Sequence, residues 1–255
     1  MPLPTWFKEM ALREVTLGGN HVTLEPLRME HANLLWPDAV EPGLFQHLSP
    51  GLESSKADLK AWIQRRLDEQ TAGSALPFLQ RDSVTGKAFG CTAMFNASSR
   101  HHRLEIGHTW LGKSHRKTPA NTEAKLLLLA QAFERMEAIR VQFKVDVRNE
   151  AAVRALERIG AVREGLMRNE RILMDGFIRD AYVYSIIREE WPAVKARLNE
   201  LLWIRPPPTP AVTTKREPPK VPGLNPKVTP PVGAHSAAGV ESIKERPQRS
   251  ATRLA

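Results

Sequence analysis

Lys113-Ser114-His115-Arg116-Lys117 is a run of cations and a hydroxyl without one apolar side chain. Thr118-Pro119 follows and opens into Ala-Asn-Thr-Glu-Ala-Lys-Leu-Leu-Leu-Leu. Thr can cap a helix, and Pro is favoured at the first helical position because the N–H it lacks would have no partner there. A helix start leaves free backbone N–H groups at the positive end of the dipole. A basic loop that enters a helix is therefore a site for phosphate.

Two elements must position that loop. Upstream, Leu104, Ile106 and Trp110 sit in a short run to Leu111, with polar residues at most alternate positions, which reads as a strand. Downstream, Leu126, Leu129, Ala130, Phe133 and Met136 follow the spacing of a buried helix face.

Gly107 to Ser114 also matches G-x-x-x-x-G-K-S, and Asp146 at the end of Val-Gln-Phe-Lys-Val-Asp could serve as a magnesium-binding carboxylate. The context opposes this nucleotide-hydrolase reading. A helix beginning at Lys113 would carry Pro119 in its second turn, at a cost of about 3 kcal/mol. The residues between the glycines, His-Thr-Trp-Leu, read as strand rather than as a phosphate wrap.

The chain has 255 residues, 42% hydrophobic, enough for a substantial core. A single cysteine, Cys91, excludes an internal disulfide, fits a reducing compartment and reads as a small buried strand residue. No apolar run reaches about 18 residues, and the N-terminus lacks the apolar core of a signal peptide, so the expectation is a cytoplasmic protein without a membrane span. Nine Lys/Arg against three Glu beyond residue 204 carry +6 of the net +9, together with eleven of the twenty prolines. Residues 204–255 therefore read as a disordered basic tail that could touch nucleic acid or a ribosome surface, or simply remain solvated. Residues 1–20 read as a loose arm, and 21–203 as the folded domain.

Within that domain, strands are expected near 21–27, 75–81, 87–97, 104–111, 141–147, 162–173 and 177–187. Helices are expected over about 29–40, from Ser54 or Ser55, from Thr118, from Asn149 to Gly160, and over 189–202. Asp175-Gly176 is a hairpin signal. His101, His102, His108 and His115 lack a Cys or carboxylate at metal spacing and read as solvated loop histidines, so no metal is expected.

The stretch from Arg116 to Asn121 resembles the coenzyme A motif of the GNAT superfamily of N-acetyltransferases, Arg/Gln-x-x-Gly-x-Gly/Ala, with Pro119 and Asn121 at the glycine positions. Further on, Asn149, Gly160-Ala161, Glu164-Gly165, Asp175-Gly176, Asp180, Tyr184-Ser185-Ile186 and Glu190-Trp191 resemble the ribosomal-protein N-terminal acetyltransferase branch. The resemblance implies an α+β fold, with a mixed, mostly antiparallel sheet of about six or seven strands flanked by helices. It implies acetyl-CoA as co-substrate and direct attack by a primary amine, either a protein N-terminus or a small molecule.

By the same resemblance, the strands 104–111 and 141–147 splay apart around the pantetheine. Backbone groups near Thr109, Trp110 and Leu111 would hold it. Amides of Lys117, Thr118, Ala120, Asn121 and Thr122, with the Arg116 and Lys117 cations, would hold the pyrophosphate; the alternative is an ordinary exposed basic loop. Asn149 is a cofactor-side contact or only a helix cap. Glu105 is the general base or positions a water, unless it is a strand carboxylate paired with Arg103. Where some relatives place a Ser after Asn149, this chain has Ala152, leaving Tyr184 as a thiolate donor or a core residue. Glu170 is placed to meet the acceptor amine. An acyl-CoA-binding module without catalysis is the other reading, and the oligomeric state stays open.

Overall fold

The computed structural model describes residues 10–203. The tail expected over 204–255, and any ribosome or nucleic-acid contact through it, lie outside the described residues. One eight-stranded sheet runs β1 (Leu17–Gly18), β2 (Val22–Pro26), β3 (Ala75–Asp82), β4 (Ala88–Ser98), β5 (Arg103–Leu111), β6 (Arg140–Asp146), β8 (Ile178–Ile187), β7 (Val162–Ile172). Every neighbouring pair is antiparallel except β5 and β6.

The eighth strand comes from the region read as a loose arm. Leu17 and Gly18 pair with Leu24 and Thr23, and Met10 is buried in the core. What holds the turn between β1 and β2 is Glu123, whose carboxylate accepts from the backbone N–H groups of Asn20, His21 and Val22 at 2.8, 2.6 and 2.8 Å. A Cβ on Gly19 would stand 2.4 Å from that carboxylate, so only glycine fits.

Helices α1 (His31–Ala39) and α2 (Lys56–Thr71) cover one face, where Leu35, Phe45, Trp62, Ile63 and Trp110 form a core. Ser55 caps α2, accepting from the Asp58 N–H at 3.1 Å. Helices α3 (Ala120–Ala130), α4 (Glu150–Ile159) and α5 (Trp191–Trp203) cover the other, over Leu104, Ile106, Phe143, Tyr184 and Ile186. Asn149 caps α4 by accepting from the Ala152 N–H at 3.0 Å, and Gly160 ends it at φ 94°.

The buried face of α3 is rotated from the expected one. Ala124, Leu128, Leu129, Ala132 and Phe133 are buried, while Leu126 is half-exposed. Four consecutive leucines satisfy either phase, and a widened π turn over Gln131–Arg135 resets the spacing afterwards. The hairpin tip is longer than the expected two residues: Leu173 donates to Phe177 O at 2.9 Å and Gly176 takes φ 82°.

Candidate active site

β5 and β6 run parallel but pair only through Arg103–Glu105 and Arg140–Gln142. Both strands continue, to Leu111 and Asp146, without pairing to each other. The sheet therefore opens along this seam and leaves backbone groups of β5 without sheet partners on that side.

A bulge on β5 decides which way its side chains point at the opening. Ala93 faces Gly107 and Cys91 faces Trp110, so Thr92 opposes both His108 and Thr109. His108 takes φ 50°. The extra residue inverts the alternation. Leu104 and Ile106 pack under α3, and Trp110 packs against Phe45 on the α1–α2 face, with ring centroids 5.1 Å apart. Plain alternation from Leu104 would have put all three on one side.

The loop after β5 forms a single 3-10 turn over Lys113–His115, and α3 begins only at Ala120. Thr118 Oγ1 donates to His115 O at 2.8 Å and accepts from the Ala120 N–H at 3.3 Å. Lys113 is upstream of the helix, away from the place a P-loop lysine must occupy. The two glycines of that decoy have packing reasons. A Cβ on Gly107 would meet the Phe95 ring at 3.0 Å, and one on Gly112 would lie 2.5 Å from Asp38 Oδ1.

Arg116 is committed within the protein. Its guanidinium makes a forked pair with Glu41 at 3.0 and 2.8 Å and donates from Nε to Leu111 O at 3.0 Å. Lys117 sits at φ 59°. Ala120 is buried, and Thr122 accepts from Arg158 Nη2 at 3.0 Å. Asn121 Oδ1 is buried with no hydrogen-bond partner among the described residues.

Lys125, one turn further along, is buried as well. Its ammonium donates to Thr109 Oγ1 at 3.1 Å, and that hydroxyl also bonds to Thr92 at 2.8 Å. Burial lowers the lysine from 10.5 to about 8. Sequence reasoning passed over Lys125 because an isolated Lys on a helix reads as surface.

On the α1–α2 face, Glu105 and Glu170 belong to one charged cluster. Glu105 is 4% exposed and accepts from Asn96 at 3.2 Å and Gln142 at 3.5 Å. Lys144 Nζ bridges the two carboxylates, 3.5 Å from Glu105 and 3.9 Å from Glu170. The Arg103 pair considered as the alternative role of Glu105 is not formed; Lys144, on the same face of β6 as Gln142, is its ion-pair partner. Glu170 also pairs with Arg171 at 2.8 Å and Arg179 at 2.5 Å. Burial raises the Glu170 carboxyl, but Arg171 and Arg179 outweigh it and hold it below the ordinary range. Asp146, at the end of β6, is tied to Arg148 at 2.6 Å and lies 3.6 Å from His47; the Arg148 contacts outweigh burial and lower it.

Tyr184 is not part of this cluster. It is fully buried opposite Phe143, on the other face of the sheet, and its hydroxyl donates to Glu157 of α4 at 2.9 Å. Burial first, then the Glu157 bond, raises it and keeps it protonated. Side chains alternate along β6, so Phe143 and Lys144 point to opposite faces and divide Tyr184 from Glu105.

Connected to Glu105 through Asn96 is a cavity of about 350 Å³, lined among others by Trp62, Arg65, Arg66, Asn96, His108 and Arg171. Arg66 Nη1 stands 2.8 Å from His108 Nε2, and Nη2 pairs with Glu69 at 2.5 Å. Burial, then the charges of Arg66, Arg171 and Arg179, push His108 down to about 3, so it is neutral. His115 stacks on Phe89 with centroids 4.0 Å apart and lies 3.2 Å from Asp82. Neither is the solvated loop histidine expected, because the bulge turns one inward and the 3-10 turn folds the other back. Among the described residues no group of three His, Cys, Asp or Glu could hold a metal, and no helix is long and apolar enough to cross a membrane.

The chain and its fold have known counterparts. The family model for the acetyltransferase (GNAT) domain matches residues 21–162. A T. thermophilus protein assigned as an acetyltransferase is 40% identical in its crystal structure, over 73% of this chain and 96% of that one, at TM-score 0.67. A Bacillus subtilis strain 168 protein assigned as a ribosomal N-acetyltransferase, YdaF, is 31% identical over 110 residues, 43% of this chain and 59% of that protein. The structure of Mycobacterium smegmatis RimJ in complex with CoA-disulfide shares the fold at 22% identity and TM-score 0.64, over 75% of this chain and 96% of that one. The chain belongs to the GNAT acetyltransferase family. It is an acetyltransferase with the mixed, mostly antiparallel sheet of that fold.

Proposed function

We propose that the protein is an acetyl-CoA-dependent N-acetyltransferase acting on a primary amine. The observation that carries this reading is the seam between β5 and β6, which runs from the Glu105 cluster to the N-terminus of α3. RimJ, which shares the fold, was crystallised with a CoA-disulfide. The unpaired β5 backbone beyond Glu105 suits the amide-rich pantetheine, and the first turn of α3 suits a pyrophosphate. Asn121 Oδ1, buried without a partner among the described residues, fits a ligand donor at that end. Thr109, Trp110 and Leu111 lend backbone groups, and Asn149 serves through the α4 cap.

Acetyl-CoA supplies an acetyl group on a thioester; the amine nitrogen bonds to the carbonyl carbon, the C–S bond breaks to release the CoA thiolate, which takes a proton from solvent, and the amine gives up its proton. Glu105 takes that proton directly or through one water, and Asn96, Gln142 and Lys144 fix its carboxylate. Glu170 holds the arginines and Lys144 in place and is already ionised, with three cations around it. Tyr184 takes no part, because its hydroxyl is spent on Glu157 on the far face. YdaF, by its assigned ribosomal role, supports a protein as acceptor. A lone buried Cys91, whose thiol burial pushes up, supports a reducing cytoplasmic setting.

The test is calorimetric titration with acetyl-CoA, with ATP and magnesium in parallel. Acetyl-CoA binding, weakened about tenfold when Arg116 and Lys117 are both changed to Gln, is the expected result. Binding of ATP instead, lost in Lys113→Ala, would overturn it. Acetyl-CoA binding without turnover of any amine would leave only an acyl-CoA-binding module.

A further inference from the structure

We infer that the acceptor is an amine carrying a carboxylate or phosphate close to the reacting nitrogen, and that the cavity connected to Glu105 through Asn96 binds that anion through Arg65, Arg66 and Arg171. The inference rests on the reading of Glu105 as the acceptor-side base.

The charged lining of the cavity is Arg65, Arg66 and Arg171 against one carboxylate, Glu69, while outside the lining Lys144 and Arg179 balance Glu105 and Glu170. Two positive charges are left over. His108 adds no charge, being neutral under the arginines. Arg65 makes no ion pair among the described residues, and the buried Nε of Arg66 has no hydrogen-bond partner among them. Donors held out of water and left unused carry a penalty that an incoming acceptor oxygen removes.

Asn96 fixes the direction. It lines the cavity and donates to Glu105 Oε2 at 3.2 Å. An amine at Glu105 therefore places the rest of its molecule toward Trp62 and the arginines. Free amines arrive as ammonium ions, which a surplus of arginine repels. An acceptor bearing its own anion is attracted, and planar guanidinium forks match a carboxylate or phosphate. The volume of about 350 Å³ accepts a small molecule or the first two residues of a peptide.

The experiment titrates the 255-residue protein, saturated with CoA, with Ser-Asp-Ala-Ala, Ser-Lys-Ala-Ala, free aspartate and phosphoethanolamine. The expected result is that the aspartyl peptide or a free anionic amine binds at least about tenfold tighter than the lysyl peptide. The peptide and the small amines separate the two sources of the anion. Arg65→Glu, on the exposed side of α2, should abolish the preference while CoA affinity holds. Equal or tighter binding of the lysyl peptide, a preference that survives Arg65→Glu, or no binding of any anionic amine would overturn the inference. Failure to bind CoA in the first titration would instead remove the reading beneath it.

Discussion

The two walls of the β5–β6 seam are made of different material. The wall toward α3 offers backbone: unpaired β5 peptides and the first turn of a helix, supplied by one stretch of about twenty residues from Arg103 to Ala124. Its prominent cation, Arg116, is already paired with Glu41. The wall toward α1 and α2 offers side chains, drawn from α2, β4, β5, β6, β7 and β8. A backbone site, apart from the cations of its loop, tolerates changes of side chain and is damaged by changes of path. A site of side chains responds the other way.

Four outcomes test that contrast. The largest effect belongs to the side-chain wall: Glu105→Gln should lower kcat about a hundredfold or more while acetyl-CoA affinity stays within a factor of two, read by steady-state kinetics beside calorimetry. An equal fall in CoA affinity would place Glu105 on the wrong wall. Next is the path of the backbone wall. Glu123→Ala strands three backbone N–H groups and should cost about 3 kcal/mol, measured by urea unfolding, and Gly19→Ala should approach it through the clash with the same carboxylate.

Lys125→Met should act in the opposite direction. The native lysine lies at about 8 against 10.5, so between those values the unfolded chain holds a proton that the folded one has released. Stability rises with pH across that window, and the burden of the buried ammonium is greatest below it. The variant should therefore gain about 1–3 kcal/mol at pH 7, with the gain fading above pH 10.5; a gain independent of pH would show that the ammonium is not strained. The smallest effect is expected for Arg116→Ala. Its pair with Glu41 is part-exposed, so stability should fall by less than about 1 kcal/mol, seen as a small shift in the urea midpoint.

The contrast also explains what could be read in advance. The helix start at Thr118-Pro119, the Asn149 cap, the Gly160 stop and the strand through Val141–Asp146 were visible because caps, prolines and alternation act over a few residues. The phase of α3 was not, since four leucines in a row suit more than one face. Glu105 and Glu170 were both singled out, yet nothing in their spacing showed that Lys144 would stand between them. Tyr184 was singled out too, and the pleat of β8 sent it to the other side.

The order and kind of nearly all the elements, and the loop-to-helix entry that suits a phosphate, were legible in the chain alone. These are local consequences of backbone geometry, and each is written in contiguous residues. Assembly of the sheet added the three-residue limit of the β5–β6 pairing, the inversion at His108–Thr109, the capture of the β1–β2 turn by Glu123 and the gathering of arginines around the cavity that Asn96 connects to Glu105. Each of these depends on which strands become neighbours, and that is settled by burying two apolar faces at once rather than by any one segment.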